Sequence, residues 1–313
     1  MLAANRTRPR SSMLAAELRD ALGRRQKELP SRWLLPVIAG QAQTIPPTIS
    51  GEWRDAESRL ACQAVERLVD HTLPRAVVCL HASASRATSR VLAAVRARRS
   101  IVDVAVVEAD PMLARAVARQ LTGDGEREIA PLTADSTLDL ALPDHFPRPR
   151  VYLSLGNSLG ATTAVGAVRT LRVLRSTMTP GDAVVFGLVT DVPVADDSTV
   201  SSDDAERHFG ALRRINETFG SGFDPSRFQC RSRYDAESKR REVHLVAREA
   251  VETEIPGVGE VRLRKGETIR TAVSCSFDRA RFGAMLGGVG LALQSWECHP
   301  SGRLAVAVAS PAI

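Results

Sequence analysis

Lysine is almost missing from this chain. Only Lys27, Lys239 and Lys265 are present, so 39 of the 42 basic residues are arginine. A formal charge of +6 and a pI near 9.5 invite a nucleic-acid reading. The arginines, however, are interleaved with acids, and aromatic residues make up only 4%. With no basic-aromatic stretch on which bases could stack, nucleic-acid binding is not expected. A mixed-charge, solvated surface is the plainer reading. The five cysteines (Cys62, Cys79, Cys230, Cys275, Cys298) are odd in number and show no CxxC spacing. They suggest small buried thiols in a reducing compartment, and no metal site. The histidines likewise show no metal-ligand spacing, and no phosphate-binding P-loop is present. No apolar run approaches the roughly 18 residues of a membrane span, and the N-terminus has no apolar stretch suited to export. A cytoplasmic protein with no membrane partner is expected.

What is present is an ordinary globular balance, 44% hydrophobic and 25% charged, in 313 residues, enough for one or two domains. Residues 1–12 read as a disordered tail and residues 12–28 as a helix. Residues 52–70 read as an amphipathic helix with Leu60, Val65 and Leu68 on one side. Strands and helices then alternate. The runs 76–80, 101–107, 128–132, 150–155 and 183–189 are strand-like, and 87–98, 111–121 and 164–178 are helical. Successive β-α-β units imply a parallel sheet covered by helices on both faces. After Asp191 the tempo changes. A helix over 203–219 precedes strand-like runs at 241–247, 259–263 and 271–275, then a helix over 278–289 and a closing hairpin of 291–296 with 304–309. The expected organisation is a Rossmann-type domain of residues 1–192 and 278–313, interrupted by a smaller α+β lobe of residues 193–277.

Several segments carry a resemblance when taken in order. They are Leu29-Pro-Ser-Arg-Trp33, Leu155-Gly-Asn-Ser-Leu-Gly160 and Arg214-Ile-Asn-Glu-Thr-Phe-Gly-Ser-Gly-Phe-Asp-Pro225. Tyr234-Asp-Ala-Glu237 leading into Glu242-Val-His-Leu-Val246, and Lys265-Gly-Glu-Thr-Ile269 leading into Val273-Ser-Cys275, complete the set. Together they resemble the histidine-specific, S-adenosylmethionine-dependent N-methyltransferases of the ergothioneine-pathway type, across most of residues 29–313. The resemblance implies a class I methyltransferase fold, α/β with a doubly wound, mainly parallel sheet and an inserted smaller lobe. It also implies that residues 278–313 return to complete the first domain's sheet. If the cofactor is used, it implies Glu108 for the ribose hydroxyls, Asp135 and Ser136 near the adenine, and Gly156 in the turn after the fourth strand. An equally good reading of Glu108 and Asp110 is that they cap the helix beginning at Pro111.

Departures from the family pattern are as informative. The turn after the first strand reads Cys79-Leu-His-Ala-Ser-Ala-Ser85, where the family has a Glu-Leu-Gly-Ser-Gly-like motif whose glycines let backbone approach the cofactor. Ala161 stands where the family has an asparagine for the substrate carboxylate, and Ala272 where it has a carboxylate, although Ser274 is kept. The only tyrosines, Tyr152 and Tyr234, lie outside the family's pocket positions. These losses argue against histidine as substrate and against a bound cofactor. His81, Ser83, Ser85 and Arg86 cluster where a helix should begin, an arrangement suited to an anion, although a simple N-cap and a surface arginine are the plainer reading of each residue taken singly. With Asn157, Ser158 and Ser274 they are the candidate substrate or anion contacts. The leading expectation is therefore a cofactor-independent biosynthetic enzyme acting on an amine-bearing, amino-acid-derived small molecule. Its reaction would be an amine displacing an anionic leaving group within its own substrate to close a small N-heterocycle. The alternatives are a divergent S-adenosylmethionine-dependent N-methyltransferase and a non-catalytic subunit. A second protein subunit or a carrier protein is the partner considered.

Overall fold

The computed structural model describes residues 10–34, 37–38, 41–42, 51–82, 87–98, 102–122, 129–134, 140, 142–143, 146–190 and 200–312. The chain divides into two compact units. One comprises Met1–Leu34, Val194–Asp235 and Arg241–Val273; the other comprises Leu35–Pro193, Ala236–Arg240 and Ser274–Ile313.

The larger unit is built from α1 (Gly51–Thr72), β1 (Ala76–Leu80), α2 (Ala87–Arg98), β2 (Asp103–Glu108), α3 (Pro111–Leu121) and β3 (Ala130–Thr133). It continues with β4 (Arg150–Ser154), α4 (Ala164–Thr177), β5 (Ala183–Val189), α5 (Arg279–Gly287), β6 (Leu291–Cys298) and β7 (Leu304–Pro311). The seven strands lie in the order 3-2-1-4-5-7-6. Strands β1 to β5 run parallel; β7 is antiparallel to β5, and β6 is antiparallel to β7. Every residue of β1, β4 and β5 is buried, as expected of strands covered on both faces. Each fully buried Val or Leu contributes roughly 1.5–3 kcal/mol, which favours the middle of the sheet for the apolar runs of β1 and β5. The fully buried stripe of α1 is Ala61, Ala64, Val65 and Val69, with Leu60 and Leu68 only partly covered. On α5, Phe282 packs edge-on against Phe186 (5.2 Å) and Phe277 (5.5 Å). Helix starts follow capping chemistry. Asp110 accepts from Met112 N and Leu113 N ahead of Pro111, and Asp278 accepts from Arg281 N.

At the amino ends of β4 and β5, Asp182 is 1% exposed. Its carboxylate accepts from Arg150 N (2.7 Å), Thr179 N (2.8 Å) and Thr179 Oγ1 (3.2 Å), and pairs with Arg148. It thereby ties the strand starts together, as a buried carboxylate must find donors.

In the smaller unit, Lys27–Glu28, Thr268–Cys275, Arg240–Ala247 and Phe228–Asp235 form a four-stranded sheet in that order. A hairpin of Val251–Ile255 with Gly259–Leu263 stands beside it as a separate ribbon. Leu18, Trp33, Leu212, Ile215, Phe228, Leu245 and Ile269 make its core. The first helix begins at Arg10, earlier than read from the sequence, and ends at Gly23. Helix Ser202–Phe219 is capped by Ser201 and closed by Gly220 in the left-handed conformation, the favoured geometry at a helix C-terminus. Asn216 then pins the following loop, accepting from Phe223 N and donating to Phe223 O.

His208 on this helix is buried and 2.7 Å from Thr271 Oγ1, whose own proton goes to Val243 O. With that hydroxyl donating to Val243 O, Nδ1 is the nitrogen that carries the proton in the neutral ring. Burial, helped by Arg207, lowers its pKa from 6.5 to about 4. Below pH 6.5 the unfolded chain therefore takes up a proton that the folded chain refuses. Stability from this group is complete above pH 6.5 and is lost as pH falls towards 4, by up to about 3 kcal/mol. Urea midpoints measured across that window should fall less steeply in His208→Gln than in the unsubstituted protein.

Candidate functional site

In an open α/β sheet, ligands bind beyond the carboxyl ends of the strands where strand order reverses. Here that switch point lies between β1 and β4. His81 follows β1 and Gly156 follows β4, so the two turns flank it.

The β1 turn keeps a left-handed backbone without its glycine. His81 has φ 50°, and its N–H donates to Val107 O at 3.0 Å, tying it to β2. Histidine is among the non-glycine residues that tolerate this region, at a cost of about 1–2 kcal/mol. Beside it Glu108 ends β2, 2% exposed, with Oε2 3.8 Å from His81 Nδ1. Of the two acids considered as helix caps, the N-cap of α3 is Asp110. Glu108 instead stands buried at the strand end. Burial pushes the Cys79 thiol up to about 12, so it is a neutral core group and no nucleophile.

The β4 turn is held more tightly. Gly156 has φ 69° and Asn157 φ 54°. Asn157 is 6% exposed and uses both ends of its side chain. Nδ2 donates to Ser274 Oγ (3.3 Å) and Cys275 O (3.2 Å), while Oδ1 accepts from Val189 N (3.1 Å). Ser158 Oγ lies 2.9 Å from Ser154 Oγ. A Cβ on Gly160 would sit 2.4 Å from Asn157 Nδ2 and 2.6 Å from Cys275 O, so glycine is required for the close approach.

The residues expected from the sequence thus fall into three groups. Asn157, Ser158 and Ser274 gather at the β4 turn, and His81 with Glu108 at the β1–β2 ends. Ser83, Ser85, Arg86, Asp135 and Ser136 lie outside the described residues. Among the described residues no three His, Cys, Asp or Glu side chains are grouped as a metal site, and no helix is long and apolar enough to cross a membrane. Sequence reasoning missed Glu57. This acid is 5% exposed and accepts from Gly156 N at 2.6 Å. Its signal was present: Glu57, Ala61, Ala64 and Val65 form an i, i+4, i+7, i+8 stripe, so a carboxylate occupies an apolar position.

Residues 52–311 match the family model described as histidine-specific, S-adenosylmethionine-dependent methyltransferase. The chain belongs to this family. A histidine N-alpha-methyltransferase of Mycobacterium tuberculosis is 26% identical over 95% of this chain and 94% of its own length. The protein of the same name from Mycolicibacterium smegmatis is 28% identical over 189 residues, 58% of this chain and 58% of that protein. Among solved structures, the CcbJ methyltransferase of Streptomyces caelestis aligns with a TM-score of 0.51 at 16% identity, covering 82% of this chain and 95% of that one. The fold is that of the class I methyltransferases. Membership in the histidine-specific methyltransferase family overturns the expectation of a cofactor-independent cyclase with a non-histidine substrate and no cofactor. That expectation rested on the lost glycines of the β1 turn for the cofactor, and on Ala161, Ala272 and the displaced tyrosines for the substrate. The left-handed His81 has the backbone conformation that a glycine would supply there.

Proposed function

We propose that this protein is an S-adenosylmethionine-dependent N-methyltransferase of small amino-acid substrates, with the α-amino group of histidine as the acceptor. The observation that carries this reading is the β1 turn, left-handed at His81 and lying beside the buried carboxylate of Glu108. The residues present fit the cofactor. Glu108 would accept from the ribose hydroxyls, the His81 backbone would border the methionine part, and Gly156 would let the β4 turn approach closely. When bound, the cofactor supplies a methyl group on a sulfonium, open to attack by a neutral amine. Ser274, held in place by Asn157, would orient the acceptor, since methyl transfer depends chiefly on alignment. The family and the names of both mycobacterial relatives support histidine.

The test is calorimetric titration of S-adenosylhomocysteine, followed by incubation with S-adenosylmethionine and histidine and mass analysis of the product. Micromolar binding and Nα-methylated histidine are expected. Absence of binding at millimolar ligand would overturn the reading. Binding without product from histidine would overturn the substrate alone.

A further inference from the structure

Gly187 lies in the interior of β5, opposite Val306 of β7. Glycine weakens a strand and in such a place marks a close approach. The group that approaches is Glu57: a Cβ on Gly187 would meet its Oε1 at 1.9 Å and its Cδ at 2.9 Å. The same Oε1 accepts from Gly156 N, and the next residue, Asn157, donates its N–H to Gly187 O at 3.1 Å. Helix α1, strand β5 and the β4 turn therefore meet at the Glu57 carboxylate. The missing side chain of Gly187 makes room for the carboxylate. The carboxylate holds Gly156 in its positive-φ conformation, and Gly187 O holds Asn157.

We infer that Glu57 is a positioning residue for methyl transfer, with Gly187 as its required counterpart: together they fix the Gly156–Asn157 turn that presents Asn157 towards Ser274. The inference rests on the methyltransferase reading for its consequence in catalysis, though its geometric content is independent of it. An acid on an apolar helix stripe is costly unless satisfied. Glutamate at this position therefore serves the turn and is a poor choice for packing alone. A misplacement of about 1 Å at such a turn can lower turnover on the order of 100-fold.

The experiment compares Glu57→Gln, Glu57→Ala, Gly187→Ala and the double variant Glu57→Ala/Gly187→Ala. Glutamine keeps an acceptor oxygen for Gly156 N–H. Alanine at 187 displaces the carboxylate without removing it. With histidine as acceptor, kcat/KM should fall about 100-fold in both single alanine variants and about as far in the double, because the two lesions break one contact. Glu57→Gln should return to within about tenfold of the parent. The Gly156 amide resonance should lie at low field and exchange slowly in the parent and in Glu57→Gln, and lose both properties in the alanine variants. That readout needs no turnover. Should the parent bind no cofactor, the function is wrong and the amide still decides the geometry. Losses that multiply in the double variant, a Gln variant as defective as Ala, or an unchanged Gly156 amide would each overturn the inference.

Discussion

Glu108→Gln should weaken S-adenosylhomocysteine binding by about tenfold to a hundredfold while leaving the protein folded. Hydrogen bonds to a charged group are worth about 1.5–3 kcal/mol, and each 1.4 kcal/mol or so is a factor of ten in affinity. Glu108 is buried at the end of β2, so solvent competes little for it, and glutamine keeps its size while removing its charge. His81→Gly provides the internal contrast. Glycine adopts φ 50° without the penalty that histidine carries, so this variant should bind at least as tightly as the parent. Calorimetry on both variants checks the pair of outcomes. Glutamine at 108 binding like the parent would remove Glu108 from the cofactor site.

Asp182→Ala should be the most destabilising single substitution proposed here, and it lies at the opposite end of the sheet from the site. Its carboxylate satisfies Arg150 N, Thr179 N and the Thr179 hydroxyl, all in the protein interior or at its margin. Arg148 contributes less than the pairing suggests, because its side chain is 36% exposed and screened accordingly. Leaving a buried donor unsatisfied costs about 1–3 kcal/mol, so losing the partner of several is a large part of a total stability of about 5–15 kcal/mol. Thermal unfolding should move down by on the order of 10 °C. Asp182→Asn, which keeps an acceptor oxygen, should recover part of the loss. Cofactor affinity measured well below the transition should not change, since no site residue is touched.

Much of the larger unit was legible because its elements are apolar runs between strong punctuation. Ala76–Leu80 after Pro74, Ala183–Val189 after Pro180-Gly-Asp182, and Pro111–Leu121 with its proline at the first turn have the ends read from the sequence. The smaller unit was harder. Phe228–Asp235 places Arg231 and Arg233 on an exposed edge and carries no apolar run. Val251–Ile255 buries alternate residues only, and the two-residue strand Lys27–Glu28 is defined by its partner Thr268–Cys275, not by its own composition. At the site, Asn157 and Ser274 could each be named, but their 3.3 Å contact joins residues 117 positions apart. The conformation of His81 was the costliest omission. A sequence shows that two glycines have gone, not whether a replacement keeps the left-handed angle, as His81 does.

The position of β7 has a consequence for how the chain is made. It lies between β5 and β6, yet the whole segment that builds most of the smaller unit separates Val189 from its partner Leu304. During synthesis β5 therefore emerges long before the strand that covers it, with the hydrogen-bonding groups of one edge unpaired and a fully apolar sequence around them. Such an edge is a template for pairing with other chains, and long-range pairings of this kind form slowly. A nascent or truncated chain ending short of Leu304 should accordingly be aggregation-prone, and Leu304–Pro311 acts as the latch whose arrival makes the molecule safe to release.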